Sequence, residues 1–370
     1  MKIFWAKIKE KNLTTYMMLI LTYIIVEILI LSGVLSYQLQ GILVPACTYV
    51  IMAISLNLVV GILGELSLGH AGFMCVGAFL GGAFSICLQE AIPNGLIRML
   101  IALLVGAISA GIIGFLIGMP VLRLNGDYLA IVTLAFGEII KNLVNLIYLG
   151  YDSKGIHFSM NDLASLKLEE DGVVVIKGAQ GVTGMPTVAN FTVGIILILL
   201  TVFIITNLVN SRDGRAIMSI RDNKIAAESV GINITKYKLM AFTISSAIAG
   251  MAGAFYAHNF SNIKATTNNF GYNMSIMILV FVVLGGIGNL KGSIIAATIL
   301  TFLPEVLRFM SQYRMLVYAI VLIVMMIFNW SPKARLFKER IIAKCKTFLG
   351  SKMKKSNLFT KAFNLKKEEK

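Results

Sequence analysis

Residues 96 to 119 read LIRMLIALLVGAISAGIIGFLIGM, an apolar stretch of 24 residues in which Gly106, Ala110, Gly114 and Gly118 recur at every fourth position. As a helix rising ~1.5 Å per residue, such a run is long enough to cross a hydrocarbon layer ~30 Å thick. Residues four apart share one helix face, and small ones there let a second backbone approach closely. Gly77 and Gly81 repeat the spacing in another run. Any membrane protein with many spans has such faces, so they establish packing and say nothing of transport.

Outward from this stretch the chain keeps the same character. Apolar runs fall at about 16–36, 39–62, 66–88, 96–119, 128–150, 190–209, 239–257, 273–288, 293–310 and 314–330. Of the 370 residues 57% are hydrophobic and 14% charged, against about 25% charged in soluble domains. The mean hydropathy is +0.83. The expected fold is an all-α polytopic membrane protein of about ten transmembrane helices. The first run follows Lys2, Lys7, Lys9 and Lys11 but is too long for a signal-peptide core and contains Glu27. It is expected to be retained.

The net charge of +15 could suggest nucleic acid, but its placement argues otherwise. Residues 331–370 hold 13 Lys and Arg against 3 Asp and Glu, so an excess of 10 lies in one tail. Cys47, Cys75 and Cys87 lie in apolar runs and Cys345 in the tail, with no CxxC spacing. No disulfide, metal site or nucleic-acid partner is read from these residues.

Basic residues gather on the cytoplasmic side of short loops. Residues 210–238 carry six basic and three acidic side chains, and residues 151–189 carry three basic and five acidic ones, with one run between them. The first loop is therefore expected in the cytoplasm and the second outside. Counting outward gives cytoplasmic N- and C-termini, both basic. This divides the chain into an N-terminal segment 1–15, a transmembrane domain 16–330, and a basic tail 331–370 that either meets anionic lipid or is simply solvated. The breaks at Gly61 to Ser67 and Gly285 to Gly292 are either turns or interruptions within helices.

The loop after the sixth run reads RDGRAIMSIRDNKIAAESVGINI from Arg212. Ile217, Ile220, Ile225 and Val230 with Ala216, Ala226 and Ala227 are spaced as on one or two short amphipathic helices. Such helices either lie at the lipid interface or meet another protein, and Asp222, Asn223, Glu228 and Gly231 suit the second. Gly231 can end a helix. No GxxxxGK[ST] cradle for nucleotide phosphates occurs, nor HExxH or GxSxG, and His70, His157 and His258 are scattered. The chain is therefore expected to be no enzyme. Uphill transport would draw on a partner or an ion gradient.

Four segments carry a specific resemblance: Gly64-Glu-Leu-Ser-Leu-Gly-His-Ala-Gly-Phe73, Arg123-Leu-Asn-Gly-Asp-Tyr-Leu-Ala-Ile-Val-Thr-Leu-Ala-Phe-Gly-Glu138, Arg215 to Gly231 running on into Tyr237-Lys-Leu-Met-Ala-Phe242, and Leu284-Gly-Gly-Ile-Gly-Asn-Leu-Lys-Gly-Ser293. Together, over about residues 40–330, they resemble the branched-chain amino-acid ABC transporter permease family, M-type subunit. The resemblance implies a permease subunit in the bacterial plasma membrane that moves leucine, isoleucine and valine. It further implies a sister permease, two cytoplasmic ABC ATPase subunits that bind ATP and Mg, and an external substrate-binding protein, with no cofactor in this chain. It also implies the fold of the vitamin B12 importer class. In that setting Arg215, Arg221, Asp222, Asn223, Ala226, Ala227, Glu228 and Gly231 make the ATPase-coupling loop, with Ala226-Ala-Glu-Ser-Val-Gly231 where other importers carry Glu-Ala-Ala. The chain departs from the family in an extra polar stretch, 151–178, and in Ala179-Gln180 where Gly-Gly is usual before Gly181-Val-Thr-Gly-Met-Pro186.

The fifth run carries the most informative polar stripe. Glu138, Lys141, Asn142 and Asn145 stand at i, i+3, i+4 and i+7, with Asp127 three turns earlier. Glu138 lies about 15 Å into that run. A carboxylate at such depth costs several kcal/mol unless paired or hydrated, and Lys141 is one turn away. Two readings stand: a wall of the pathway that handles a zwitterion, or an ion pair that holds two helices in register. His70, in Ser67-Leu-Gly69-His-Ala-Gly72, either gates an interrupted helix or bonds locally. Ser67 and Thr133 either donate to a carboxylate or bond carbonyls of their own helix. Two alternatives to the leucine, isoleucine and valine reading remain: a permease for urea, short amides or another amino acid, and an ion-coupled secondary transporter.

Overall fold

The computed structural model describes residues 2–324 apart from 90, 125, 153–154, 169–171, 311–312, 314–315 and 318. In chain order the helices are α1 (Lys2–Leu31), α2 (Tyr37–Asn57), α3 (His70–Cys87), α4 (Gly95–Val121), α5 (Asp127–Val144) and α6 (Phe191–Asn210). They continue as α7 (Arg212–Asp222), α8 (Lys224–Ser229), α9 (Ile234–Ala257), α10 (Thr267–Phe270), α11 (Tyr272–Gly285) and α12 (Leu290–Val306). Several begin where a side chain takes up a free N–H of the first turn. Asn94 accepts from Leu96 N at 3.1 Å, Ser211 from Gly214 N at 3.1 Å, Asn223 from Ala226 N at 3.0 Å and Asn233 from Lys236 N at 3.0 Å.

Among the described residues, seven helical stretches are long and apolar enough to cross a membrane: Thr14–Leu31, Tyr37–Leu63, His70–Cys87, Gly95–Val121, Phe191–Asn210, Ile234–Ala257 and Thr267–Gly285. The chain is thus mostly helical and polytopic. The fifth expected span is the helix α5, whose 18 residues include Asp127, Glu138 and Lys141, and the ninth is represented by the 17 residues of α12. A second unit starts at Leu307 with a 3-10 turn, Leu307–Met310. Of the tenth expected span, residues 316–317 and 319–324 are helical. The rest of it beyond 324 and the tail 331–370, with its expected lipid contact, lie outside the described residues.

The α2 stretch forms the middle of the first unit, 94% of its apolar window being buried against 11% for α1. The glycine face of α4 packs as its spacing predicts. A Cβ at Gly77 or Gly106 would run into Gly250 of α9, one at Gly81 into Ala102 of α4 and Ala254, and one at Gly114 into Ser246. So α3, α4 and α9 meet backbone to backbone, the arrangement that small residues permit where lipid gives no hydrophobic drive.

Two expectations are corrected. The chain is not all-α: β1 (Tyr148–Asp152), β2 (Gly155–Ser159), β3 (Val173–Lys177), β4 (Val182–Thr183) and β5 (Asn262–Ile263) form an antiparallel sheet in the order β2-β1-β3-β4-β5. Tyr148 stands opposite both Ser159 and Lys177. The run expected as a span over 128–150 is helix only to Val144, and its last residues enter β1. An apolar run has no mark of its own for where helix gives way to strand. The extra polar stretch carries Val173-Val-Val-Ile176, β-branched residues suited to a sheet.

The second correction falls at the first glycine break. The helix of α2 widens into a π-helical turn, Leu58–Leu63, and Gly64 leaves it at φ +82°. The chain is not helical again until His70, so the expected span 66–88 is a shorter helix entered by a non-helical lead.

Contacts sort the connections to two ends of this unit. At one, Glu65 pairs with Lys238, Arg221 reaches Gly61, Gly288 reaches Asn57, and Lys291 bonds Thr14. At the other, β4 pairs with β5, and Val188 and Ala189 donate to the carbonyl of His258. The basic loop and the acidic loop thus occupy opposite ends of this unit.

Candidate functional site

Because the lead from Gly64 to Gly69 is not helical, α3 begins deep in the bundle. A Cβ on Gly72 would come within 2.7 Å of Gly137 Cα. Gly137 lies ten residues into α5, about 15 Å along that helix. The first turn of α3 therefore sits level with the middle of α5, and its free amides need partners there. Thr133 Oγ1 accepts from Leu68 N at 3.0 Å and donates to the carbonyl of Ala130 at 2.9 Å. Ser275 Oγ accepts from Ala71 N at 3.1 Å. Gly69 packs on the carbonyl of Thr133. His70 is 1% exposed, with Nε2 2.5 Å from Ser55 Oγ. Ser67 is buried, and its hydroxyl has no hydrogen-bond partner among the described residues.

Against the same stretch of α5, α11 also begins. Glu138 Oε1 accepts from Tyr272 N at 2.7 Å, capping that helix, and Oε2 takes Lys141 Nζ at 2.5 Å. Lys141 also donates to Thr267 Oγ1 at 3.2 Å, and Asn145 Nδ2 to the carbonyl of Ala265 at 3.0 Å. A carboxylate at a helix N-terminus opposes the positive end of its dipole. Two discontinuous helices, α3 and α11, thus start against one wall, an arrangement that gives intramembrane backbone groups able to meet a polar solute.

Of the predicted path residues, the fold brings together Ser67, Gly69, His70, Thr133, Glu138 and Lys141. Asp127 and Asn142 are exposed and stand apart. The buried stripe of α5 runs through Thr133, Gly137, Ile140, Lys141 and Val144. Glu138 is at its edge, and Asn142, about 40° further round the helix and away from the stripe, faces outward.

In the loop 210–238, Ile217, Ile220 and Ala227 are buried, whereas Ile225 and Val230 are 80% and 75% exposed beside Glu228. Arg215 bonds the carbonyl of Asn210 at 3.3 Å. Asn223 caps α8, and Gly231 at φ +86° ends it: its N–H bonds the carbonyl of Glu228 at 3.0 Å and Ile232 N that of Ala227 at 3.1 Å. Arg221 binds Asp222 at 2.9 Å, and its Nη1 donates to the carbonyl of Gly61 at 3.0 Å. Gly61 carries one of the last carbonyls of the π-helical turn that follows α2, of the kind a helix end leaves without an internal partner.

Sequence reading missed Asn57. It is fully buried, accepts from Gly288 N at 2.9 Å and donates to Ser293 Oγ at 2.9 Å. An amide inside an apolar run was the available signal. It also gave no role to Glu65 and Lys238, an ion pair with side chains 15% and 3% exposed.

The architecture defines a polytopic helical membrane protein with two interrupted helices meeting at mid-bundle and an amphipathic loop at one end. The chain belongs to the family described as branched-chain amino acid transport system, permease component, which it matches over residues 38–328. Among its relatives is the high-affinity branched-chain amino acid transport system permease protein LivM of Salmonella typhimurium, 35% identical over 312 residues, 81% of this chain and 70% of the relative. The protein of the same name from Escherichia coli is 33% identical over 301 residues, 78% and 67% of the two chains. The probable LivM of Methanocaldococcus jannaschii is 25% identical over 303 residues, 72% and 81%. No solved structure matches the chain.

Proposed function

We propose that this chain is the membrane-spanning permease subunit of an ATP-binding cassette importer that carries leucine, isoleucine and valine across the bacterial plasma membrane. Family membership and the two LivM relatives support the reading. In it the chain crosses the bilayer about ten times with both ends in the cytoplasm, in a fold of the vitamin B12 importer class. The permease domain is 16–330, the loop 151–189 faces outward, and 210–238 faces the cytoplasm between basic termini 1–15 and 331–370. The chain is itself no enzyme. ATP and Mg belong to two partner ATPases, a sister permease completes the pathway, an external binding protein delivers substrate, and lipid surrounds the whole.

The observation that carries this reading is the loop. Ile225 on α8 and Val230 just past its end are left uncovered, while the buried Ile217 and Ile220 of α7 and Ala227 of α8 pin the loop to the bundle. Exposed apolar side chains on a polar rim are what a partner protein covers. The pathway is assigned to the wall where α3 and α11 begin, with Glu138 and Lys141 positioning α11. The test is purification from the native membrane. ATPase subunits should travel with the chain, and binding protein loaded with leucine, isoleucine or valine should stimulate ATP hydrolysis. Absence of any co-purifying ATPase overturns the reading.

A further inference from the structure

Three segments far apart in the chain meet around the buried amide of Asn57. The end of α2 contributes Asn57 and the π-helical turn after it Gly61, the turn between α11 and α12 contributes Gly288 and the first turn of α12 Ser293, and α7 contributes Arg221. Asn57 uses both ends of its amide across the interface, accepting from Gly288 N and donating to Ser293 Oγ, each at 2.9 Å. Gly61 has no room for a Cβ, which would overlap Asn57 Oδ1 and the backbone of Gly288. Arg221 then closes the chain of contacts, its Nη1 on the Gly61 carbonyl at 3.0 Å and its aliphatic stem where a side chain on Gly64 would stand. There is no flexible side chain between the Gly61 and Gly288 backbones to absorb a displacement. Sliding either segment would leave the fully buried amide of Asn57 without its partners, which low-dielectric surroundings make expensive. Gly61 lies within the π-helical turn Leu58–Leu63, a feature often found at working sites.

We propose that Asn57 is a positioning residue that locks the α11–α12 turn to the end of α2, so that these segments and α7 move as one body when nucleotide binds to the partner subunits. This rests on the importer reading above. Packed interfaces of this sort switch between discrete arrangements instead of deforming smoothly. A push on α7 is therefore delivered undiminished to α11, whose other end Glu138 caps at the pathway wall.

The experiment uses the complete complex in lipid nanodiscs, with the native cysteines replaced and spin labels placed on D213C of α7 and I287C, both exposed in the wild type. A second pair, D213C with I108C on α4, reports movement of α7 relative to the bundle. Pulsed electron-spin measurements are made without nucleotide and with trapped ATP. The proposal expects the 213–108 distance to change and the 213–287 distance to stay fixed. In Asn57→Ala the 213–287 distance should become nucleotide-dependent, and substrate moved per ATP hydrolysed should fall about tenfold, the scale of a buried hydrogen bond lost. Ser293→Ala, which removes one of the two bonds, should fall between, and it decides the matter if Asn57→Ala does not assemble. A 213–287 distance that changes in the wild type, no movement of either pair, or wild-type coupling in both variants overturns the proposal. A role in folding alone would lower yield without altering transport per ATP. Failure of the importer reading shows separately, as absence of substrate-stimulated hydrolysis in the unlabelled complex.

Discussion

Replacing Glu138 with Gln keeps the shape of the side chain and removes its charge. In the wild type the carboxylate takes Tyr272 N at 2.7 Å and Lys141 Nζ at 2.5 Å, with the two side chains 23% and 10% exposed. A hydrogen bond to a charged group contributes about 1.5–3 kcal/mol and a neutral one about 0.5–1.5. Gln offers one oxygen to two donors: keeping Tyr272 N in a neutral bond costs about 1 kcal/mol and losing the Lys141 bond about 1.5 kcal/mol, a loss of about 2–3 kcal/mol, below the 3–5 kcal/mol for breaking a fully buried pair because water reaches part of Glu138. Lys141 keeps only Thr267 Oγ1, at 3.2 Å. The assay is a double-mutant cycle of Glu138→Gln and Lys141→Met by reversible SDS titration in mixed micelles. We expect Lys141→Met to cost about 1–2 kcal/mol and the double variant to fall short of the sum by about 1–2 kcal/mol, more than an exposed pair one turn apart on a helix because both side chains are largely buried. Uptake should drop in Glu138→Gln with assembly intact, since the start of α11 loses its charged cap. Additive losses, with a coupling within about 0.3 kcal/mol of zero, would refute the idea that Lys141 holds the Glu138 carboxylate in place at the start of α11.

Other predictions test separate parts of the account. Gly231→Ala should cost about 1 kcal/mol, because φ +86° strains an L side chain while nothing lies within 4 Å to clash; Gly231→Asn, which tolerates that region better, should recover part of it in the same melting assay. Glu65→Gln should destabilise by about 3 kcal/mol by leaving Lys238 buried without its partner, and adding Lys238→Met should restore most of the loss; unchanged unfolding in the single variant contradicts this. Val230→Cys should react with a membrane-impermeant maleimide from the cytoplasmic side only, and Phe158→Cys from the outside only. Protection of Val230→Cys when ATPases assemble is the expected further result.

Much of this was legible from residues. The every-fourth-residue pattern in α4 foretold its close approach to α3 and α9, and the Glu138–Lys141 pairing followed from spacing and the cost of a lone charge in lipid. Gly231 was readable as a helix stop because few residues accept positive φ. Three things were hidden for physical reasons. The boundary at Val144 lies inside an apolar run, and hydropathy does not distinguish strand from helix there. Asp127 and Asn142 share the spacing of Glu138, yet which edge of the stripe turns inward is decided by α3, whose starting depth depends on the non-helical lead through Ser67. Asn57 works through Gly288 and Ser293, more than 230 positions away, and no local pattern announces such a pairing.

The most direct measurement is leucine uptake into proteoliposomes that hold the assembled complex, with ATP supplied to one face and loaded binding protein to the other. The account predicts accumulation against a gradient only when ATP is on the face bearing residues 210–238 and binding protein is on the face bearing residues 151–189. Uptake driven by an ion gradient without ATP, or with the two faces exchanged, would contradict it.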